Sequence, residues 1–285
     1  AAKYCADHGI ALTDTLDHVL ADPGIDGVVL ATPHSQHAAQ VAEVAAAGKH
    51  VFCEKPFTLT KVTAEQAVAA TQRAGVVLAV GHNRRFLPAI GELRRMVRAG
   101  DLGRILHIEG NMSGHVGGRY RDGIWRVDPN ESPAGGMAGS GIHMIDAMID
   151  LLGPIGEVSA QSDRLIHDFQ FDDTTSMLFK FTGGQTGYLV ALTATAATLR
   201  LQVFGEHAAA ELRGENVIEV VPVQGETVTR TYPASDINRA QLEAFGEAIE
   251  GKAAFPVPLN DVIAGVAAFE AVAASAAERA PHQVM

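Results

Sequence analysis

The stretch Lys49–Pro56, KHVFCEKP, decides the fold of this chain. Its centre, VFC, is an apolar run typical of a strand, and a charged pair followed by a proline ends it abruptly. Gly48 ends the helix that the sequence predicts over residues 35–47, and Pro56 stops the strand and fixes the direction of the chain. The stretch therefore predicts a buried strand that delivers charged side chains to its carboxyl end.

Glu54 and Lys55 are those charged side chains. In an open α/β sheet, ligands bind beyond the carboxyl ends of the strands, so Lys55 lies where a proton donor or an electrostatic stabiliser is useful. Partial burial moves the pKa of a lysine toward neutral pH, which suits proton transfer. A solvated Glu-Lys pair without a chemical role is the simpler interpretation, and these two residues by themselves favour it.

Strands and helices alternate on both sides of this stretch. Apolar runs at residues 27–31 and 76–80 predict two further buried strands, and a helix over 61–74 follows the central one. A short strand at residues 10–12 and a helix that ends near residue 20 are predicted in front. Strands that alternate with helices of this length indicate right-handed βαβ units and a parallel sheet.

The pattern changes after a helix that begins at Pro88. Long strands then follow in series, and an irregular segment over 113–133 interrupts them; a segment of that length is usually functional or disordered. We therefore predict two domains, 1–87 and 88–285. The second is expected to be an α+β domain with an open, mainly antiparallel sheet.

The composition excludes several classes of protein. The chain has 285 residues and a formal net charge of −11, which argues against a nucleic-acid partner because such a partner requires a basic face. No apolar run is expected to reach membrane-spanning length, since Glu270 and Glu278 interrupt the alanine-rich C-terminal segment. These features predict a globular cytoplasmic protein that binds neither nucleic acid nor membrane.

Cysteine and histidine form no metal-binding pattern. Cys5 and Cys53 are too few for a disulfide framework and match no metal-ligand spacing, as expected in a reducing cytoplasm. His34 and His37 lie three residues apart, and we interpret them as loop and first-turn residues rather than ligands. The sequence predicts no metal site.

A set of short motifs adds a family resemblance. The motifs extend over nearly the whole chain and are Ala31-Thr32-Pro33 with His37, Glu54-Lys55-Pro56, Gly81–Phe86, Gly100–Gly103, and Gly135-Gly136 followed by Gly141–Asp146. No tripeptide among them is specific, but their order and spacing are. The chain resembles the Gfo/Idh/MocA family of nicotinamide-dependent oxidoreductases. The resemblance implies an α/β fold whose first domain is of the Rossmann type and binds NAD or NADP.

The resemblance also implies an activity, namely hydride transfer between the nicotinamide and a secondary alcohol or its ketone. The small-molecule substrate would be a sugar, a cyclitol or a related polyol. Lys55 would hydrogen-bond the substrate oxygen and His143 would act as the base, so their side chains are expected to meet in the cleft between the domains. The nicotinamide side would be lined by Lys55 itself and by Thr32, Pro33, His37, Glu54, Asn83 and Arg84.

The chain departs from the family at Gly139, where an aspartate commonly lies one helical turn before the catalytic histidine. The residue that would orient the imidazole of His143 is therefore missing. Either another group takes over this role, or the substrate class or the activity differs. A non-catalytic ligand sensor on the same fold is the alternative function. A purely structural assembly protein, which would not need Lys55 and His143, is the third.

A second departure is at the front of the chain. No Gly-x-Gly-x-x-Gly turn occurs there, although the backbone N–H groups of such a turn hold the pyrophosphate of a dinucleotide. Compared with the family, the sequence begins in the helix after the second strand. We therefore expect an incomplete Rossmann-type sheet, an exposed apolar edge at the strand over 27–31, and weak binding of NAD and NADP.

Two apolar rows in the strand predicted over 185–194 indicate a subunit interface. One row comprises Tyr188, Val190, Leu192 and Ala194, and the other comprises Leu189, Ala191 and Thr193. Since helices cover only one face of such a sheet, an apolar second face is expected to pack against another subunit. We predict a homodimer or homotetramer joined through this sheet.

Overall fold

The computed structural model describes residues 1–116 and 120–285, so residues 117–119 of the irregular segment lie outside the described residues. Two sheets organise the described chain, a parallel sheet of three strands and a mixed sheet of nine. This confirms the predicted fold class, in which a Rossmann-type parallel sheet is followed by an α+β unit with an open, mainly antiparallel sheet.

The first sheet is the one that the opening stretch predicts. Helices α1 (Ala2–His8) and α2 (Leu16–Ala21) precede β1 (Gly27–Leu30), α3 (His37–Ala46) connects it to β2 (His50–Cys53), and α4 (Lys61–Ala74) leads to β3 (Leu78–Val80). The strands pair in the order β1-β2-β3 and all in parallel. In the middle strand, Val51, Phe52 and Cys53 are each no more than 1% exposed, because both faces of a parallel sheet are covered.

The strand predicted at residues 10–12 is wrong. Residues 10–14 form neither helix nor strand, and Ile10 and Leu12 are 52% and 58% exposed. Within the described residues no neighbouring strand lies there to accept their backbone hydrogen bonds, and a short apolar run does not form a strand alone. At the same edge, β2 is the one strand of the described chain that pairs with β1, and Val29 is 55% exposed.

The second unit begins with helix α5 (Pro88–Ala99) and strand β4 (Ile105–His115). A turn of π-helix at Met137–Gly141 leads into helix α6 (Ile142–Leu152). The strands that follow are β5 (Ile155–Asp163), β6 (Thr174–Phe181), β7 (Thr186–Leu192), β8 (Ala194–Gly205), β9 (Ala208–Arg213), β10 (Val217–Pro222) and β11 (Val228–Thr231). The chain closes with α7 (Ile237–Ile249), α8 (Leu259–Glu278) and β12 (His282–Gln283).

The larger sheet has the order β11-β10-β9-β8-β4-β7-β6-β5-β12. Its pairs are antiparallel except for β4 with β7, which are parallel. Strand β8 begins directly after β7, where Ala194 and Thr198 pair with His115 and Ser113 of β4. Hairpins therefore form both halves of the sheet, β8 to β11 on one side and β5 to β7 on the other. Strand β4, which follows α5 in the chain, lies between the two halves.

Helix α6 is buried on nearly all sides rather than along one apolar stripe, since every residue from Ile142 to Leu151 is buried. Gly110 of β4 permits this close approach. A Cβ on Gly110 would lie 2.6 Å from Cε of Met148, so a side chain there would require the Met148 side chain to move. The packing carries the polar residues of α6, among them His143 and Asp146, into the interior.

Helix α8 joins the two units. Val262 and Val266 pack into the core of the first sheet, whereas Phe269 and Val272 belong to the core of the second. Since one helix serves both cores, the boundary between 1–87 and 88–285 stays a prediction.

The same helix corrects the expectation that no apolar run reaches membrane-spanning length. Within residues 1–116 and 120–285, α8 is the one helix that is long and apolar enough to cross a membrane, with 20 residues and a mean hydropathy of 1.4. Half of that segment is buried inside the protein. The two cores that α8 serves account for its apolar composition.

The open face of the larger sheet is more polar than the two apolar rows indicate. Leu189 and Ala191 face the core and are fully buried, whereas Tyr188 lies half-buried on the open face. Its hydroxyl donates to Glu109 at 3.2 Å and accepts from Arg200 at 2.9 Å. The homodimer or homotetramer through this face stays a prediction.

Candidate active site

A cavity of about 280 Å³ opens at the carboxyl ends of β1 and β2. The first unit contributes Thr32, His34, His37, Glu54 and Lys55, and the second contributes Tyr120, Trp125, Arg126, Ser132 and Gly139. Ligands of open α/β sheets bind at this edge, and the enclosed volume suits a small molecule. The predicted position of Lys55 at a ligand-binding edge therefore agrees with the fold.

Lys55 follows β2 and reaches to the second unit. Its ammonium donates to the carbonyl oxygen of Gly139 at 2.5 Å and to that of Ala138 at 3.4 Å. Burial lowers the pKa of Lys55 to about 8; Glu54 opposes this effect, and the charge of Arg126 adds to it. The amine therefore exchanges its proton near neutral pH, as a catalytic proton donor must.

His143 lies in the first turn of α6 and is 7% exposed. Its Nδ1 has no hydrogen-bond partner within the described residues. Burial lowers the pKa of His143 well below its usual range, and the charge on Lys55 is the next cause. The imidazole is therefore neutral at pH 7. The described residues that line the cavity do not include His143, so its meeting with Lys55 in one cleft stays a prediction.

Asp146 follows His143 on α6, but it binds Arg85. Nε and Nη2 of Arg85 donate to the Asp146 carboxylate at 2.8 to 3.1 Å. Asp261 and Asp150 lie 2.9 and 3.3 Å from Nη1, and the Arg85 side chain is 1% exposed. Sequence reasoning missed this cluster, because its carboxylates come from two helices that are distant from Arg85 along the chain.

Asn83 and Arg84, which were predicted to line the nicotinamide side, contact the second unit. Arg84 forms an ion pair with Glu215, and Nδ2 of Asn83 donates to Oδ1 of Asn238 at 2.8 Å. Neither is among the described residues that line the cavity. Besides burial, the charge of Arg84 contributes to the lowered pKa of Lys55. The charge of Arg84 therefore acts on Lys55, whereas contact between Arg84 and the cofactor stays a prediction.

The other predicted cofactor residues surround the ends of β1 and β2. His37 is fully buried, and its ring nitrogens lie 2.9 Å from the carbonyl oxygen of Pro56 and 3.1 Å from that of Thr32. These contacts tie the loop after β1 to the turn after β2, so His37 shapes the cavity wall. Thr32 and Glu54 line the cavity, and Pro33 precedes the 3-10 turn that leads into α3.

A clasp between the units, defined by His34, Ser35, Trp125 and Glu131, closes one side of the cavity. Nδ1 of His34 lies 2.7 Å from the carbonyl oxygen of Glu131, whose carboxylate accepts the backbone N–H of Ser35 at 2.9 Å. The His34 and Trp125 rings meet edge-on with centroids 4.9 Å apart. Burial lowers the pKa of His34 to about 4, so its imidazole is neutral at pH 7. These hydrogen-bond partners are 96 and 97 residues apart, and no local pattern signals such a contact.

Gly139 makes room for a side chain of the irregular segment. A Cβ built on Gly139 would lie 3.0 Å from the hydroxyl of Tyr120. The Tyr120 ring packs against Phe171 with centroids 5.1 Å apart. A neutral phenol therefore fills the space where the family commonly has an aspartate, next to the carbonyl that holds Lys55.

The residues at the cavity fit the nicotinamide end of a dinucleotide. Thr32 after β1 and the Glu54-Lys55 pair after β2 bring polar groups to one enclosed space at the ligand-binding edge of the sheet. In the ranges 1–116 and 120–285, no three His, Cys, Asp or Glu residues lie close enough together to hold a metal ion. The expectation that the protein has no metal site stays a prediction.

Comparisons with known proteins assign both units to one family. Residues 1–82 match the family model described as the oxidoreductase family, NAD-binding Rossmann fold. Residues 90–211 match the model of the GFO/IDH/MocA C-terminal domain. The predicted cofactor class, NAD or NADP, is confirmed by the NAD-binding description of the first unit.

Curated relatives match over different lengths. The 1,5-anhydro-D-fructose reductase of Ensifer adhaerens is 28% identical over 267 residues, which are 88% of this chain and 77% of that protein. The scyllo-inositol 2-dehydrogenase (NAD(+)) of Bacillus subtilis is 39% identical over 32% of this chain and 27% of that protein. An uncharacterized oxidoreductase of Schizosaccharomyces pombe is 32% identical over 58% and 45%. The chain thus spans less than half the length of the last two relatives.

Solved structures share the fold over almost the whole chain. The aldose-aldose oxidoreductase from Caulobacter crescentus superimposes with a TM-score of 0.87 at 25% identity, over 99% of this chain and 88% of that one. Levoglucosan dehydrogenase in complex with NADH superimposes with a TM-score of 0.88 at 21% identity, over 100% and 87%, which shows a common fold. Since both units match models of one family and the fold is shared, the chain belongs to the Gfo/Idh/MocA family of oxidoreductases.

Proposed function

We propose that this protein transfers a hydride between NAD or NADP and a secondary alcohol or its ketone on a sugar, cyclitol or related polyol. The observation that carries the proposal is Lys55, a lysine at a ligand-binding strand end whose pKa is lowered by burial to about 8. A bound nicotinamide accepts or supplies the hydride. The names of the relatives, an anhydrofructose reductase and an inositol dehydrogenase, support the substrate class.

Lys55 binds the substrate oxygen in this proposal. Its two partners are backbone carbonyl oxygens, which hold the ammonium in place without neutralising its charge. That charge stabilises an oxygen that becomes negative in the transition state. In ketone reduction the ammonium also donates the proton, and its lowered pKa favours the transfer.

His143 is the base in this proposal. Its imidazole is neutral, because burial and the nearby ammonium of Lys55 both disfavour the charged form. The unpartnered Nδ1 lies in a buried environment, where a polar atom without a hydrogen bond is uncommon outside functional sites. In alcohol oxidation, His143 would take the hydroxyl proton while Lys55 stabilises the oxygen.

The same proposal assigns the cofactor side of the cavity. Thr32 and Glu54, which line it directly, would contact the nicotinamide end together with Lys55. Pro33 and His37 would hold the loop after β1 in the shape that admits the ring. We further propose that Asn83 and Arg84 approach the same end when the cofactor is bound.

A turnover assay tests the proposal. The protein is incubated with sugars and cyclitols and with NAD⁺ or NADP⁺, and the absorbance of the reduced nicotinamide is followed. His143→Asn is expected to lower kcat/KM by about 10²–10⁴-fold, the usual contribution of a general base. The matched control is His18→Asn, which removes an exposed imidazole of α2 outside the cavity and is expected to keep the wild-type rate. Equal rates in both variants would refute the role of His143.

A ligand sensor on the same fold is the second candidate. Gly139 in place of the orienting aspartate, together with the unpartnered Nδ1 of His143, favours it. Calorimetric titration with NADH and NADPH, run beside the turnover assay, separates the two functions. Binding without turnover of any polyol would favour the sensor, and the same titration measures whether cofactor binding is as weak as expected.

We also propose a cytoplasmic homodimer or homotetramer whose partner is a small-molecule substrate rather than nucleic acid or membrane. The half-buried apolar side chains of Val190 and Leu192 on the open sheet face support the interface. Light scattering on the purified protein measures the assembly. A monomer at micromolar concentration would contradict this proposal.

A further inference from the structure

We propose that the substrate carries a carboxylate and that Arg126 binds it at the cavity. This inference rests on the proposed function and narrows its substrate class from polyols in general to sugar acids. It concerns the irregular segment of the second unit, from which Tyr120, Trp125 and Arg126 line the cavity together with Lys55.

Arg126 is a cation at the site without a carboxylate partner among the described residues. It lines the cavity, is exposed, and lies over the Trp125 ring with 4.2 Å between the guanidinium carbon and the ring centroid. Its guanidinium forms no ion pair within residues 1–116 and 120–285. Arg84 and Arg85, by contrast, are both paired with carboxylates. Arg126 therefore has its fork of N–H donors available for an anion, and the stacked indole fixes its plane.

The charge balance of the cavity is opposite to that of the protein. The chain has a formal net charge of −11, yet among the described residues the charged ones that line the cavity are the cations Lys55 and Arg126 and one carboxylate, Glu54. Burial lowers the pKa of Lys55 first, and the charge of Arg126 contributes to the same shift, so both cations act on one space. An anion bound there is attracted by both, and a positive cleft in an acidic protein selects for anionic ligands.

The glycine at position 139 agrees with an anionic substrate. An aspartate there would place a carboxylate beside the carbonyl that binds Lys55 and would repel a substrate carboxylate. The hydroxyl of Tyr120 occupies the neighbouring space, 3.0 Å from where the Cβ would be. The departure from the family thus replaces a negative group with a neutral one at the point where an acidic substrate would enter.

A guanidinium binds a carboxylate and a phosphate by the same bidentate geometry, so the phosphate of a sugar phosphate or of the cofactor is the competing source. The position of Arg126 beside Lys55, at the reacting end of the site, favours a group on the substrate itself. The experiment contains an arm for each source.

The test is a set of titrations followed by the fluorescence of Trp125, the one tryptophan of the chain, which Arg126 covers. The ligands are D-glucuronate, D-glucose, D-glucose 6-phosphate and NADH, and each sugar is titrated with and without NADH. D-Glucuronate is expected to bind about 10- to 100-fold more tightly than D-glucose, as one charge-assisted pair allows. Trp125 reports binding directly, so the test does not depend on turnover.

Three variants assign the preference to Arg126. Arg126→Gln is expected to bring the affinity for D-glucuronate down to that for D-glucose, and Arg126→Lys to retain part of the preference because the charge remains. Arg121→Gln is the matched control, since it removes one exposed arginine from the same segment outside the cavity and is expected to keep the preference. Circular dichroism verifies that all three variants are folded.

The inference is overturned if D-glucose binds as well as D-glucuronate, if D-glucose 6-phosphate binds more tightly than either, or if both glutamine variants weaken binding alike. It is also overturned if Arg126→Gln weakens NADH and spares the sugars. Its failure differs from that of the proposed function. Oxidation of neutral polyols without a preference for sugar acids would refute the inference alone. Arg126-dependent binding of D-glucuronate without hydride transfer would refute the proposed function alone.

Discussion

Two cations at neighbouring strand ends, the half-buried Lys55 and the buried Arg85, differ in what surrounds them. Lys55 follows β2, and its ammonium meets two backbone carbonyl oxygens. Arg85 follows β3, and its guanidinium meets three aspartates. Burial disfavours the charge of both, but the carboxylates around Arg85 outweigh burial and raise its pKa, whereas the pKa of Lys55 is lowered to about 8.

The difference separates a structural charge from a reactive one. A buried ion neutralised by carboxylates stays charged at every accessible pH and holds elements together, here α6 and α8 against the first unit. A cation held by carbonyl oxygens is not neutralised, so its charge can stabilise a negative substrate oxygen. Such a cation also titrates near neutral pH. Substitutions that remove each of the two charges in turn test this distinction.

The largest expected effect is on catalysis. Lys55→Met should lower kcat/KM by up to about 10⁴-fold, because it removes both the proton donor and the charge beside the substrate oxygen. Its stability should not fall, since the lowered pKa means that the fold disfavours the ammonium. Steady-state kinetics and urea denaturation measure the two quantities. A stability loss that matches the activity loss would make Lys55 a structural residue.

The converse is expected of Arg85. Arg85→Met should lower the free energy of unfolding by about 3–5 kcal/mol, because the Asp146 carboxylate stays buried without its arginine partner, whereas Asp150 keeps Arg94 and Arg98. The matched control, Arg95→Met, removes an arginine that is 52% exposed and paired with Glu92, and little change in the free energy of unfolding is expected because solvent screens such a pair. Equal values in urea denaturation would mean that the buried cluster contributes no more than a surface ion pair.

The smallest expected effect is on the pH profile. The pKa of Lys55 is about 8, so its ammonium is present below that pH and lost above it. Ketone reduction, which requires the ammonium, should therefore fall about tenfold per pH unit above roughly pH 8. Lys55→Arg stays protonated throughout, so its residual activity should lack this alkaline decline. A decline that persists in Lys55→Arg would assign it to another group.

The regular elements were readable from the sequence because their signals are local. The apolar centre of Lys49–Pro56 predicted β2, and Pro88 predicted the start of a helix that the structure has at Pro88–Ala99. The failed strand at residues 10–12 shows the limit of such signals. An apolar run becomes a strand only beside a partner, and the described residues provide none there.

The residues of the candidate site likewise divide into those that local sequence predicts and those that only the folded chain brings together. The sequence by itself placed Lys55 at a ligand-binding strand end, because the end of a parallel strand is marked within a few residues. The aspartates around Arg85, the clasp of His34 with Glu131, and the hydroxyl of Tyr120 beside Gly139 depend on segments that are far apart in the chain. Only the tertiary structure decided these, since local periodicity fixes which face of an element is buried but not which distant side chain it meets.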